Sequence, residues 1–285
     1  MTRRRRLLIG TAIAAAAGLA LLGWSYRTAR LDPAVRHAEY ALPGYEGRAL
    51  TALLISDLHV AGPDMPPERL ARIVGRINAL KPDLVLIAGD LVSDKGTATR
   101  RYSMREAVAA LAALRPRLAT VAVLGNHDHW RSAGEAVAAL DAAAITVLSN
   151  DAVRIGPIAV GGLDDDYTGQ ANLPRTLARQ REVGGVPILL SHSPDPFPEL
   201  PAGAMLMLAG HTHCGQIRLP LIGALSTMSD YGNRYACGLV REGGRTLIVS
   251  AGVGTSILPL RLGAVPDMWL IRLVPDSARK KEAVR

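Results

Sequence analysis

The sequence contains a single phenylalanine, two cysteines and only 4% aromatic residues. So few aromatics leave no row of rings on which bases could stack, and two cysteines cannot make the disulfide framework of a small secreted domain. Acidic residues are missing altogether from residues 1–30, which carry six arginines. Residues 276–285 set four basic against two acidic side chains, and the 23 basic and 23 acidic residues of 31–275 cancel. The net charge of +8 therefore belongs to the two ends of the chain. A neutral centre has no surface for tracking phosphates, so no nucleic-acid partner is expected. What remains is 285 residues, 49% hydrophobic and 20% charged, enough to bury a sizeable core in one large domain or two small ones.

The basic start precedes an uncharged run. Arg3–Arg6 are followed by Leu7 to Trp24, rich in Ala, Leu and Gly. As a helix that run spans roughly 27 Å, close to the hydrocarbon thickness of a bilayer. Four arginines before it outweigh Arg27 and Arg30 after it, which places the bulk of the chain outside the cytoplasm. The "TRRRRLL" stretch also fits a twin-arginine export signal. Gly23-Trp24-Ser25 is a weak cleavage site, so residues 1–30 are taken as an uncleaved signal-anchor of the inner membrane, with a cleaved, secreted form or a peripheral cytoplasmic protein as the alternatives. A buried core helix would need an amphipathic stripe or a cap, and the sequence shows neither.

Past the anchor, apolar runs alternate with helical patterns. Strands are expected at 49–56, 83–89, 118–125, 186–191, 204–209, 246–251 and 268–273, with a β-rich stretch over 145–163. Helices are expected at 66–80, 103–114, 132–143 (capped by Ser132) and 172–183. A βαβα opening that gives way to clustered strands suggests an α/β domain over 31–275 with a mixed sheet, or two sheets between helices. Residues 276–285 form a basic tail.

Chemistry gathers at the ends of the apolar runs. "TALLI" leads into Ser56-Asp57-Leu58-His59, "DLVLIA" into Gly89-Asp90, and "VAVL" into Gly125-Asn126-His127-Asp128. "VPILL" leads into Ser191-His192, and "MLMLA" into Gly210-His211-Thr212-His213. A lone His-x-His is ordinarily a solvated turn. Here five strands each end in a carboxylate, carboxamide or imidazole, and in open α/β folds ligands bind beyond the carboxyl ends of the strands. These nitrogen and oxygen donors suit Mn, Fe or Zn without any thiolate. An i, i+2 spacing in extended chain would point Asp57 and His59, and likewise His211 and His213, to one side. Seven candidate ligands exceed what one Zn takes and suit two ions sharing a carboxylate, the arrangement that clamps both oxygens in phosphoryl displacement.

In order, these five blocks resemble those of the calcineurin-like metallophosphoesterases. "GQIRLP" (215–220) and "VGTSILPLRLGAVPDMWLIRL" (253–273) are similar to its bacterial YkuE/YaeI-like branch of exported or membrane-anchored proteins, and the likeness covers nearly all of the chain after residue 40. The resemblance implies an αββα sandwich, two mixed sheets flanked by helices, with the metal site at the C-terminal ends of the strands. It implies two divalent ions, the first held by Asp57, His59 and His213, the second by Asn126, His192 and His211, with Asp90 bridging both. His127 would bind the substrate phosphate and protonate the leaving oxygen, Asp128 would orient its imidazole, and a hydroxide between the metals would attack.

Several neighbours carry plainer expectations. His129 is read as a rim or surface group, His37 as exposed and outside the fold proper, and Asp164–Asp166 as a solvated turn with one locally bonded carboxylate. Cys214 stands where this branch commonly has glycine, and whether it pairs with Cys237 is left open. The function implied is metal-dependent hydrolysis of phosphodiester or pyrophosphate bonds at the membrane surface by a monomer. Two alternatives stand beside it. One is a nucleotide-linked lipid such as UDP-diacylglucosamine as substrate, although that nucleotide is normally cytoplasmic. The other is a silent metal-binding module, whose expected mark, an eroded ligand set, is missing.

Overall fold

A computed structural model describes residues 2–203 and 205–277 of the chain. It opens with α1 (Arg3–Ala29), whose first turn is capped by the Thr2 hydroxyl, a cap the sequence reading did not credit. The apolar stretch of this helix is unburied, and it is the one described helix long and apolar enough to cross a membrane. Then follow β1 (Ala34–Leu42), β2 (Leu50–Ile55), α2 (Pro67–Ala79), β3 (Leu84–Ala88), α3 (Met104–Val108), β4 (Ala119–Val123) and α4 (Asn126–Ala142). The second half comprises β5 (Thr146–Val147), β6 (Asp151–Ile155), β7 (Ile158–Gly162), α5 (Leu173–Val183), β8 (Val186–Leu190), β9 (Leu206–Ala209), β10 (Arg218–Leu219), β11 (Gly223–Ala224), β12 (Gly238–Glu242), β13 (Arg245–Val249) and β14 (Asp267–Pro275).

Two six-stranded mixed sheets pack face to face, with strand orders β1-β14-β2-β3-β4-β5 and β12-β13-β9-β8-β7-β6. The period of two along each strand builds the layers. In β3, Val85 and Ile87 face α2, α3 and α4, whereas Leu84, Leu86 and Ala88 face the second sheet. In β9, Leu206 and Leu208 face the first sheet, while Met207 and Ala209 join an outer core with Leu173 of α5 and Phe197, the lone phenylalanine. α2 contributes Leu70, Ile73, Val74 and Ile77, the i, i+3, i+4, i+7 stripe of a helix laid on a sheet. The result is the expected αββα sandwich, filled almost entirely by aliphatic side chains.

Several boundaries differ from expectation. The helix expected over 103–114 is α helix only to Val108 and tightens to 3-10 geometry over Ala109–Ala113. The helix expected from Ser132 starts six residues earlier, at Asn126, and kinks at Ser132, whose extended backbone lets its hydroxyl cap Glu135. β1 and β12 were not foreseen. β1 is an edge strand carrying Arg36, His37 and Glu39, charges that suit an edge but hide the alternating pattern. His37 is exposed as expected yet lies inside the fold, opposite Leu270 of β14. The strand read as 204–209 is seen from Leu206, Ala204 and the basic tail beyond Ser277 lying outside the described residues.

Candidate metal centre

β2, β3 and β4 of one sheet and β8 and β9 of the other end on the same side of the sandwich, and the turns after them bring the polar residues together. Asp57, His59, Asp90, Asn126, His192, His211 and His213 are all buried. Two groups form around Asp90. In the first, His59 Nε2 lies 3.0 Å from His213 Nε2 and 3.3 Å from Asp90 Oδ2, and His213 Nε2 lies 3.4 Å from Asp57 Oδ1. In the second, His192 Nε2 lies 3.3 Å from Asp90 Oδ2, 3.1 Å from Asn126 Oδ1 and 3.2 Å from His211 Nδ1. So many lone pairs converging on one spot fit cations: Asp57, His59 and His213 form one set able to hold an ion, Asp57, Asp90 and His192 another, and His59, Asp90 and His127 a third.

The backbone reaches this arrangement differently from the extended geometry expected. Asp57 (φ 50°), His59 (45°), Asp90 (56°), His211 (70°) and His213 (51°) all sit in the left-handed region. Each strand end curls tightly instead of running on, at about 1–2 kcal/mol per residue, and Asp and His are among the side chains that best tolerate it. The paired side chains converge because of this curl, not because alternate residues of a strand share a face. The glycines in the blocks have their own reason. A Cβ at Gly210 would stand 2.5 Å from Asp57 Oδ2 and from the Ser56 side chain, and one at Gly125 would stand 2.7 Å from the His192 ring.

Second contacts fix which ring nitrogen faces inward. His192 Nδ1–H donates to the Ala88 carbonyl at 2.6 Å, leaving Nε2 for the site. His211 Nε2–H donates to the Met228 carbonyl at 3.0 Å, leaving Nδ1. Burial holds His59 and His213 well below the usual imidazole value and His211 down to about 4, so these rings stay neutral. Burial presses on His192 as well, but Asp90 outweighs it and keeps that ring well above the usual value. Burial also lifts Asp57 to about 6.

The residues flanking these groups need correction. Asp128 does not touch the His127 ring: it accepts from the backbone N–H of Asp90 (2.9 Å), Leu91 (2.8 Å) and Gly125 (3.0 Å), tying the turn after β3 to the turn after β4. Burial and neighbouring Asp90 nonetheless push it up to about 7. His127 donates its backbone N–H to Asp90 Oδ1, while its ring makes no hydrogen bond among the described residues and stands edge-on to His59, centroids 4.7 Å apart. His129 keeps the partial exposure expected of a rim group, but it is tied down there by Asp164 Oδ1 at 2.7 Å. Asp164 and Asp165 are buried, the first also accepting from Ser149, so the stretch is no solvated turn; only Asp166 is part-exposed.

The sequence reading also missed residues around the site. Trp130 stacks edge-on over His127, and Tyr167 lies between Trp130 and His211, with centroid distances of 4.9, 6.0 and 4.9 Å. Trp130 directly follows the Asn-His-Asp-His run, the one cue available. Arg261, fully buried, donates to the carbonyls of Ala251, Gly252 and Gly254 and lies 3.3 Å from His213 Nδ1. Lys95 is buried in an ion pair with Asp64 (2.6 Å) that the Thr255 hydroxyl bridges. Cys214, next to His213, is paired with Cys237. A cavity of about 350 Å³ opens on Asp90, Asn126, His211 and His213, and its far wall is Ile217, Leu225, Met228, Ile257 and Leu258.

Comparison with known proteins bears on the same residues. The family profile described as Calcineurin-like phosphoesterase matches residues 50–215. The "Uncharacterized metallophosphoesterase YkuE" of Bacillus subtilis (strain 168) is 32% identical over 95% of this chain and 97% of its own length. "Phosphodiesterase YaeI" of Escherichia coli (strain K12) is 32% identical over 78% of this chain and 81% of its own. A "Transmembrane protein with metallophosphoesterase domain" of Danio rerio is 29% identical over 93% of this chain and 61% of its own. Among solved structures, a 5'-nucleotidase precursor from Thermus thermophilus aligns with 83% of this chain and 57% of that one, at 16% identity and a TM-score of 0.42. This chain thus spans little more than half of that nucleotidase. With the profile covering more than half of the sequence and two relatives above 30% identity, the chain belongs to the calcineurin-like metallophosphoesterases, a family of phosphoric ester hydrolases.

Proposed function

We propose that the protein is a binuclear metal-dependent phosphodiesterase anchored in the membrane by α1, with its catalytic domain on the exported face. The observation that carries this reading is the pair of donor groups sharing Asp90. Asp57, His59 and His213 would hold one ion, Asn126, His192 and His211 the other, with Asp90 between them. When bound, two divalent ions supply positive charge for the phosphate oxygens and lower the pKa of a water nucleophile. The chain itself does the rest. Burial keeps the rings of His59, His211 and His213 neutral, so none of them has to give up an imidazolium proton before a ligand binds. His127 would protonate the leaving oxygen, a role supported by its ring standing beside His59 with no hydrogen bond among the described residues. Trp130 lines the opening, and Tyr167 packs against Trp130 and His211 beside it. A donor set without thiolate fits Mn, Fe or Zn.

The apolar far wall of the cavity favours a second reading within the same chemistry, a nucleotide-linked lipid pyrophosphate. The test is common to both. Full-length protein purified in detergent should carry two equivalents of divalent metal and hydrolyse a chromogenic diester. Asp90→Ala should lose metal and turnover together, and Asp90→Asn, which keeps one oxygen but no charge, should lose at least one ion. An Asp90→Ala protein that retains both metals would refute the bridging assignment.

A further inference from the structure

The helix that would cross the bilayer ends against the wall of the metal cavity. Its apolar run stops at Trp24, and Arg261 donates its backbone N–H to the carbonyl of the next residue, Ser25, at 3.0 Å. Ser25, Thr28 and Ala29 are buried against the domain, while Trp24 and Arg27 are exposed. Aromatic and basic side chains at a helix end mark the membrane–water interface, so with α1 in a bilayer the segment of Arg261 would lie at the level of the lipid headgroups.

From Arg261 the contacts run on to a hairpin. Leu262 N–H donates to Gln216 O (3.0 Å) and Arg218 N–H to Leu262 O (2.7 Å), joining the loop 256–262 to β10. Gln216 ties the same loop a second time, donating to Leu258 O (2.9 Å) and accepting from Ser256 N–H (3.0 Å). β10 and β11 form a short hairpin whose tip carries Leu221, fully exposed, and Ile222, 66% exposed. Leu225 and Ile257 beside them are 61% and 70% exposed. Leu221 also has φ 67°, the left-handed conformation that a glycine or asparagine would hold at less cost. A branched apolar side chain kept in water on a strained backbone gains nothing within this chain.

We propose that the β10–β11 hairpin and the loop 256–262 form a second membrane contact, which seats the mouth of the metal site at the bilayer so that it takes a lipid-borne phosphodiester. The inference rests on the reading that α1 spans the membrane and that the site cleaves diesters. Hydrogen bonds join Ser25, near the end of α1, through Arg261 and Leu262 to β10, so the exposed Leu221, Ile222, Leu225 and Ile257 sit on segments attached to the end of the helix, which names the bilayer as their occupant. The cavity then presents its ligand-bearing floor to the phosphate and Ile217, Leu225, Ile257 and Leu258 to the chains of the lipid.

The test uses the full chain reconstituted in phosphatidylethanolamine–phosphatidylglycerol vesicles. Both cysteines are paired, so a single added thiol can be labelled. An environment-sensitive fluorophore on Leu221→Cys or Ile222→Cys should shift to the blue and be quenched by nitroxide-bearing lipid. The same label on Arg241→Cys, at the opposite end of the second sheet, should behave as in water. The double variant Leu221→Glu, Ile222→Glu should hydrolyse a water-soluble nitrophenyl diester within about twofold of wild type. It should cleave a diacyl phosphodiester bearing the same leaving group at least about tenfold more slowly. Labels at 221 and 222 that stay as wet as 241, or equal rates on the lipid, overturn the proposal. If neither diester is cleaved by wild type, the assigned activity fails, and the fluorescence alone decides the membrane contact.

Discussion

Cleaving the Cys214–Cys237 bond should weaken both the fold and the metal centre. The loop it closes separates the two residues by 23 positions, and the chain-entropy estimate for a loop of that size is about 3 kcal/mol. In a domain of this length that corresponds to a fall in Tm of roughly 10 °C. The effect on the site follows from where the loop sits. His211, His213, Cys214 and Gln216 have positive φ, so the turn carrying two candidate ligands is strained at four positions. Within the closed loop, the Met228 carbonyl fixes the tautomer of His211, and Thr212 Oγ1 donates to Ala236 O at 2.6 Å beside Cys237. Without the bond, the turn can relax towards ordinary backbone and take its imidazoles out of alignment.

The assay compares wild type with Cys237→Ala, which changes the more exposed of the two residues and leaves Cys214 buried. Metal retained after gel filtration should fall, with the ion assigned to His192 and His211 lost first, and KM for a soluble diester should rise. Reductant should reproduce these changes in wild type and add nothing in the variant. A Cys237→Ala protein that melts within about a degree of wild type and keeps both ions would show that packing alone holds the strained turn, and the reasoning would be wrong.

Three further outcomes are expected. His127→Ala should keep both metals while kcat falls ~10²–10⁴-fold, the range for a positioned acid–base group; the fall should be smaller for an aryl than for an alkyl leaving group, and metal depletion would show it to be a ligand. Asp128→Asn keeps at most two of the three backbone bonds, so in the metal-loaded protein it should cost about 2 kcal/mol of stability and loosen the metals; a kcat defect confined to poor leaving groups, with Tm unchanged, would restore it to orienting His127. At Asp83, burial pushes the carboxyl up but the Thr51 N–H and Arg117 outweigh it and hold it below its ordinary value. Its contribution is present above about pH 4 and lost as pH falls through the lowered value, so Asp83→Asn should destabilise at pH 7 and converge with wild type in acid melts.

The sandwich was legible because its strands are continuous apolar runs covered on both faces, and the site because each run stops abruptly at a polar residue. Both signals are local. What escaped depends on contacts distant in sequence. The carboxylate of Asp128 was assigned to its neighbour's ring, but it folds inward onto three N–H groups contributed by two separate turns. The pairing of Cys214 with Cys237 needed the intervening loop to return, and nothing in the spacing required it. His129 and Asp164 lie 35 positions apart, and the short acidic run that looked solvated is buried largely because that histidine and Ser149 come to meet it. β1 was hidden by the charges that keep an edge strand from pairing with another chain.

The left-handed backbone at the candidate ligands links fold to function more tightly than either signal alone. Five of the seven residues hold positive φ, a cost that ion binding at their side chains would offset. The strain is sustained by what surrounds it: the aliphatic layer between the sheets, glycines where any Cβ would collide, and hydrogen bonds such as His211 N–H to both oxygens of Asp57 at 3.1 Å. Curling each strand end brings donors from both sheets within a few ångströms of Asp90, which straight strands could not do. The same curl turns the chain after β9 outward into the segment that carries the disulfide and the apolar hairpin. The geometry that gathers the ligands therefore also sets where the mouth of the site would meet the membrane.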